Sequence, residues 1–125
     1  MKKFIDSNII IKAFTENKDK ETCRKILYEE FTTNILCLIE AQYGIYTIKN
    51  NKDYAANCIK SLFKTNGEII ELNKNLLFES LKLIDKYKLE ILDLIHYATA
   101  LTNNCSEFIS YDKDFDSLGI KRTEP

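Results

Sequence analysis

Glycine and proline are scarce in this chain. Only Gly44, Gly67 and Gly119 are present, too few for the glycine-rich loops of P-loop or dinucleotide-binding sites. The one proline is Pro125, and no repeat, low-complexity tract or linker interrupts the 125 residues. One domain over residues 1–125, with one main site, is therefore expected. Cys23, Cys37, Cys58 and Cys105 have no C-x-x-C spacing and no paired pattern. Neither a zinc site nor a disulfide framework is indicated, and four buried thiols in a reducing cytosol are expected. Met1-Lys2-Lys3-Phe4-Ile5 starts as a signal peptide would, but Asp6, Ser7 and Asn8 break the apolar run and no small-residue cleavage site follows. No stretch approaches the ~20 uninterrupted apolar residues of a membrane span. The expected location is the cytoplasm, with no membrane partner.

Arginine is also rare. Arg24 and Arg122 stand against sixteen lysines, and the net charge is −1, which argues against a generic basic coat for nucleic acid. Contact with RNA would have to be local. Bidentate phosphate recognition could come from few side chains, leaving much of that work to metal ions.

What the chain does have is a core. Its 45% hydrophobic content can support a fold of this size, which buries roughly two-thirds of the unfolded surface, without cross-links. The pattern predicts a short strand over Lys2 to Asp6, then a helix opened by Ser7 or Asn8 and carrying Ile9, Ile10, Ala13 and Phe14. Helices are predicted from about Lys20 to Phe31, Ile39 to Lys49, Asp53 to Lys64, Asn75 to Tyr87 and Leu92 to Asn103, from apolar residues at helical spacing. In the third of these, Ala56, Ile59, Leu62 and Phe63 are expected inward; in the next, Leu77, Leu81 and Ile84 share one face. Thr33 to Leu38 fits a strand or a helix entry. Strands are predicted over Glu68 to Leu72, Glu107 to Tyr111 and near Ile120 to Thr123, with a short helical turn over Asp114 to Leu118. Strands alternating with helices imply an α/β fold with a mainly parallel sheet.

Ligand sites in such sheets form beyond the carboxyl ends of the strands. Asp6 and Asp112 stand at two such ends, while Glu40 and Asp93 stand near helix starts beside apolar stripes. All four could meet in one crevice. Carboxylates brought so close raise one another's pKa unless a cation offsets their charge, and a scattered Asp/Glu set without His or Cys suits Mg²⁺ or Mn²⁺. Each residue taken singly has a plainer reading. Asp6 could cap a helix, Glu40 could be solvated, Asp93 could favour a helix N-terminus, and Asp112 and Asp114 could be turn residues.

Four blocks occur in order: Phe4-Ile5-Asp6-Ser7-Asn8-Ile9-Ile10, Leu38-Ile39-Glu40-Ala41, Leu92-Asp93-Leu94-Ile95-His96-Tyr97-Ala98-Thr99-Ala100-Leu101, and Ile109-Ser110-Tyr111-Asp112-Lys113-Asp114-Phe115. Together they resemble the PIN-domain family, and within it the VapC-like toxins of toxin–antitoxin pairs, over nearly the whole chain. The resemblance implies a three-layer α/β/α sandwich and a Mg²⁺- or Mn²⁺-dependent endoribonuclease. It implies catalytic and metal-binding roles for Asp6, Glu40, Asp93 and Asp112, with Asp114 assisting a second metal and Asn8 and Ser110 orienting ligands or water from behind. It also implies an RNA substrate, a homodimer and a small antitoxin protein that blocks the site. Ser110 stands where the family more often has threonine, which keeps the hydroxyl. His96, the only histidine, is expected to pack or hydrogen-bond rather than act as a general acid or base. Tyr43, Tyr46, Phe63, Phe78, Tyr87 and Tyr97 are expected in core or interface rather than as base-stacking platforms.

Other classes fit less well. A haloacid-dehalogenase-like phosphatase wants Asp-x-Asp after its first strand, where this chain has Asp6-Ser7-Asn8. A Toprim-like reading of Asp112-Lys113-Asp114 lacks the glutamate on the first strand. A PIN-type nuclease of RNA maturation and a non-catalytic binding module on the same fold remain as alternatives.

Overall fold

The computed structural model describes residues 2–125. Strand β1 (Lys3–Ile5) leads into helices α1 (Ser7–Ala13) and α2 (Lys20–Tyr28), then β2 (Thr32–Asn34), α3 (Ile35–Lys49) and α4 (Lys52–Leu62). After β3 (Glu68–Ile70) come α5 (Lys74–Leu81), α6 (Ile91–Thr102), β4 (Glu107–Ile109), a 3₁₀ turn (Lys113–Phe115) and β5 (Lys121–Thr123). The strands form one sheet in the order β3-β2-β1-β4-β5, and every pairing is parallel. The sheet grows from β1 towards β2 and β3, then restarts on the other side with β4. A crevice at such a reversal of strand order is where parallel sheets bind ligands.

Short polar side chains set the helix starts. Asp6 caps α1, and Asn34, Asn51 and Asn73 cap α3, α4 and α5 by accepting a backbone N–H in the first turn, which satisfies donors the helix itself leaves free. Asn50 ends α3 in the left-handed region at φ 51°, a conformation asparagine tolerates better than most residues.

Successive strand residues face opposite sides of the sheet, and this divides the core. Ile5 and Ile109 join Ile9, Ile10, Cys23, Leu27, Leu38, Ala41, Ile45, Ile59 and Leu62 from α1 to α4. Phe4 and Phe108 join Tyr97 and Ala100 of α6, Phe115 and Ile120 on the other side. Phe108 stacks on Phe4 and on Phe115 with ring centroids 4.9 and 4.2 Å apart. The layers are thus helix, sheet and helix, as the family resemblance implied.

Several boundaries differ from the sequence expectation. Helix α2 stops at Tyr28, because Phe31 is drawn into the core at the entry to β2. Helix α3 starts at Ile35, immediately behind its Asn34 cap, so Glu40 lies in its second turn rather than at its start. Helix α5 ends at Leu81, and turns rather than helix continue to Lys86. Leu77, Leu81 and Ile84 do not face the core; each is about half exposed, as is Phe63 at the end of α4. Helical spacing reveals an apolar stripe but not what covers it. No helix among the described residues is long and apolar enough to cross a membrane.

Gly67 precedes β3 where the backbone passes the buried Phe31 ring, and a Cβ there would overlap that ring. Overpacking of this kind typically costs about 1–3 kcal/mol. Gly67→Ala is expected to lower the urea midpoint accordingly, whereas Gly119→Ala, where a Cβ meets only the Tyr97 hydroxyl at 3.3 Å, should move it less.

Candidate active site

Asp6 follows β1 at the reversal of strand order, and its backbone N–H donates to Ile109 O at 3.0 Å. Its carboxylate is buried. Oδ1 accepts from Ser7 N at 2.8 Å, while Oδ2 accepts from Ser110 Oγ at 2.7 Å and from Asn8 Nδ2 at 3.4 Å. Ser110 follows β4, and its hydroxyl also accepts from Asn8 Nδ2 at 3.1 Å and Asp112 N at 3.0 Å. One donation and two acceptances exhaust what a serine hydroxyl offers. Ser110 therefore has one orientation, and it aims a proton at Asp6. Asn8 Oδ1 accepts from Tyr111 N at 3.3 Å, so α1 and the chain after β4 are tied at the same place.

Glu40 projects from the second turn of α3 and accepts from His96 Nε2 at 2.7 Å. Asp6, Cys37, Glu40 and His96 each offer a ligand atom, all within 4.8 Å of one another. A second group, Asp93 on the first turn of α6, Asp112 after β4 and Asp114 in the 3₁₀ turn, meets the same limit. Asp112 Oδ1 also accepts from Asp114 N at 2.9 Å, so the turn reading of this pair and its placement in an acidic group both hold.

The two groups act on each other. Asp93 has its pKa raised to about 6 by partial burial and by the negative charges of Asp6, Asp112 and Glu40. Asp6 is raised too, chiefly by burial and further by Glu40, although its bonds to Ser110 and Ser7 work the other way. His96 relieves both carboxylates only to the extent that its ring is charged. Burial opposes that charge, while ionised Cys37, the bond to Glu40 and the charge of Asp6 favour it, enough together to lift the ring to about 11. Complete burial, however, pushes the Cys37 thiol up and keeps its proton on, which removes the leading upward contribution. The hydrogen bonds decide for the neutral ring. Asn34 Oδ1 is occupied by the cap bond from Cys37 N at 2.7 Å, so Nδ2, a donor only, faces His96 Nδ1 at 3.1 Å. With His96 neutral, its ring brings neither carboxylate a compensating charge.

Asp6, Glu40, Asp93, Asp112, Asp114, Asn8 and Ser110 are thus all brought to one edge of the sheet. Sequence reasoning passed over Asn34, Cys37 and Thr99, which surround His96, and Arg122, whose Nη1 donates to Ser110 O at 2.8 Å. A lone histidine three residues after Asp93, and an asparagine placed to cap the helix of Glu40, were the available signals.

The unrelieved charge has a consequence for the metal-free protein. Asp93 titrates near 3.8, as an ordinary aspartate does, when unfolded and at about 6 when folded. Between these values the native state holds more protons, so this group's contribution to stability falls as pH rises. In chelator, the stability difference between Asp93→Asn and wild type should widen in favour of the variant from about pH 4 to about pH 6. Urea unfolding at a series of pH values measures it; a constant difference across that window would contradict the assignment.

The fold agrees with comparison to known proteins. The PIN domain family model matches residues 3–121. No curated protein sequence matches the chain significantly. Among solved structures, VapC20 of Mycobacterium tuberculosis, a sarcin-ricin loop cleaving toxin, is similar with a TM-score of 0.82 at 12% identity, over 98% of this chain and 99% of that one. A toxin–antitoxin complex from Klebsiella pneumoniae gives 0.76 at 20% identity over 96% and 95%. VapBC2 of Rickettsia felis, bound to a DNA fragment from its promoter, gives 0.72 at 18% over 99% and 98%. With a family model spanning nearly its full length and the acidic residues of its four blocks gathered at one sheet edge, the chain belongs to the PIN-domain family.

Proposed function

We propose that this protein is a Mg²⁺- or Mn²⁺-dependent endoribonuclease, a single PIN domain acting in the cytoplasm as the toxin of a toxin–antitoxin pair. The observation that carries this is the gathering of Asp6 and Glu40 with Asp93, Asp112 and Asp114 at one sheet edge, where partial burial and its neighbours' negative charge raise Asp93 to about 6. Oxygen donors of this kind suit a hard divalent cation, and the raised carboxylates mark a site short of positive charge. Asp6, Glu40, Asp93 and Asp112 would hold the metal, with Asp114 assisting a second ion. When bound, the cation lowers the pKa of water and offsets charge on the scissile phosphate.

The chain's own residues supply the frame for that chemistry. Ser110 and Asn8 hold the Asp6 carboxylate by one oxygen and Ser7 N by the other, leaving further acceptor capacity on each. Asp93, in the second group and facing the charge of the first, would hold a proton below about pH 6 when the cation is absent and give it up when the cation binds. The enzyme needs no nucleophile of its own. Four unpaired, buried cysteines are in keeping with a reducing cytosol.

Two exposed apolar surfaces support the expected partners. Ile39 and Tyr43 beside Glu40, with Tyr46, Ala55 and Ala56, line a groove of about 510 Å³ between α3 and α4, suited to an apolar segment of an antitoxin that would lie next to the site. Leu77, Phe78, Leu81 and Ile84 on and after α5, with Ile91 and Leu92 at the start of α6, are 46–73% exposed, and this second surface suits another copy of the chain.

Purified protein is expected to cleave RNA when Mg²⁺ or Mn²⁺ is supplied and to lose about 10²–10³-fold in rate on Asp6→Asn, a loss comparable to removing one charge-stabilising group from an active site. Asparagine still caps a helix, so this variant should stay folded. Sequencing RNA ends after controlled expression gives the readout in cells; identical profiles for wild type and Asp6→Asn would contradict the proposal. For the second surface, Phe78→Glu with Leu81→Glu should convert a dimer into a monomer by light scattering, and a wild type that is already monomeric would remove the homodimer.

A further inference from the structure

We infer that His96 is a positioning residue, whose Nδ1 accepts from Asn34 and whose Nε2 donates to Glu40, so that an asparagine cap on one helix fixes the direction in which the Glu40 carboxylate faces the metal. The inference rests on the metal-dependent reading above and assigns a role within that site which the acidic residues alone do not supply.

The chain of hydrogen bonds has only one consistent direction. Asn34 ends β2 and caps α3, its Oδ1 accepting from Cys37 N at 2.7 Å. That bond fixes which end of the amide faces inward. Nδ2 then donates to Thr99 Oγ1 at 2.9 Å, and Thr99 donates onward to Ile95 O at 2.8 Å. The second Nδ2 proton points to His96 Nδ1 at 3.1 Å. A ring nitrogen that accepts carries no proton, so in the neutral ring the proton is on Nε2. Nε2 stands 2.7 Å from Glu40 Oε1, a short distance for a hydrogen bond to a carboxylate.

Burial turns this direction into a constraint. Asn34, His96 and Thr99 are fully buried, and no buried side-chain nitrogen or oxygen among the described residues lacks a partner. Water is therefore not available to replace any of these bonds. Cys37 Sγ packs against the ring at 3.4 Å from Nδ1, and Phe4 lies on another side, with ring centroids 6.1 Å apart. The Glu40 side chain is 28% exposed where His96 is 1% exposed. A partly exposed carboxylate at the rim is thus held by a donor in the core. Helix α6 contributes twice, through Asp93 in its first turn and through His96 one turn later, so the spacing between a candidate ligand and the residue that orients another is set by a single helix.

Removing such a supporting partner typically costs about 10–100-fold in metal affinity. His96→Leu keeps the bulk but no donor, and is expected to weaken Mn²⁺ binding by about tenfold or more. His96→Gln, whose amide nitrogen can take the place of Nε2, should recover most of it. In a Glu40→Gln background, His96→Leu should cause no further loss, because the carboxylate it orients is gone. Mn²⁺ titration followed by electron paramagnetic resonance reads all four without reference to RNA cleavage. Unchanged Mn²⁺ affinity in a folded His96→Leu protein, or an equal loss in both backgrounds, overturns the inference while leaving the metal reading intact. A wild type that binds no Mn²⁺ removes both. As His96 is the only histidine, imidazole ¹⁵N resonances of the metal-free wild type give a check that needs no variant. A protonated Nε2 beside an unprotonated Nδ1 is expected, and a proton on Nδ1 overturns the inference.

Discussion

Asp6 ends the central strand with its carboxylate buried, and a buried carboxylate costs several kcal/mol unless hydrogen bonds or opposite charge replace the water it has lost. Here only half of that replacement is built in. Ser7 N, Ser110 and Asn8 supply hydrogen bonds, yet the pKa of Asp6 is still raised, and Glu40 adds to the rise. The neighbouring ionisable side chain best placed to help, His96, spends its acceptor nitrogen on Asn34 and its proton on Glu40. Positive charge is missing at this point of the molecule, and the fold is arranged around that deficit.

The parallel sheet makes the arrangement possible at small cost in chain. Five strands of three residues each bring the ends of β1, β2 and β4 to one edge. From there Asp6, Asn34 and Ser110 each follow or complete a strand and serve the next segment: Asp6 and Asn34 as helix caps, Ser110 as the acceptor for Asp112 N. The residues that begin elements are the same ones that build the site. A substitution at any of them disturbs local folding and the acidic crevice together, so the capping and site roles of Asp6 are two aspects of one placement. Arg122 of β5 adds a further tie, donating to Ser110 O while paired with Asp116 and Glu124.

Much of this was legible in the residues themselves. The alternation of elements gave a parallel α/β sheet, and strand ends alone marked Asp6 and Asp112. Glu40 and Asp93 needed the family pattern, because a carboxylate on a helix has no local mark that separates a ligand from a solvated residue. The start of α3 was misplaced since Thr33 to Leu38 has neither clear period, although Asn34 carried the capping chemistry that decides it. The direction of Leu77, Leu81 and Ile84 was not legible at all. Their spacing records that α5 has an apolar stripe, and the structure leaves that stripe in solvent. The pairing of Asn34 with His96, 62 residues apart, depends on packing α6 beside β2, which no local pattern encodes.

The proposed activity requires Asp6 and Glu40, with Asp93 and Asp112, to form a divalent-cation site. The most direct measurement is anomalous scattering from crystals of the protein grown with Mn²⁺. A manganese peak within coordination distance of Asp6 and at least one of Glu40, Asp93 and Asp112 is the predicted result. A well-ordered crevice with no peak at saturating Mn²⁺, or manganese bound only elsewhere on the surface, would contradict it.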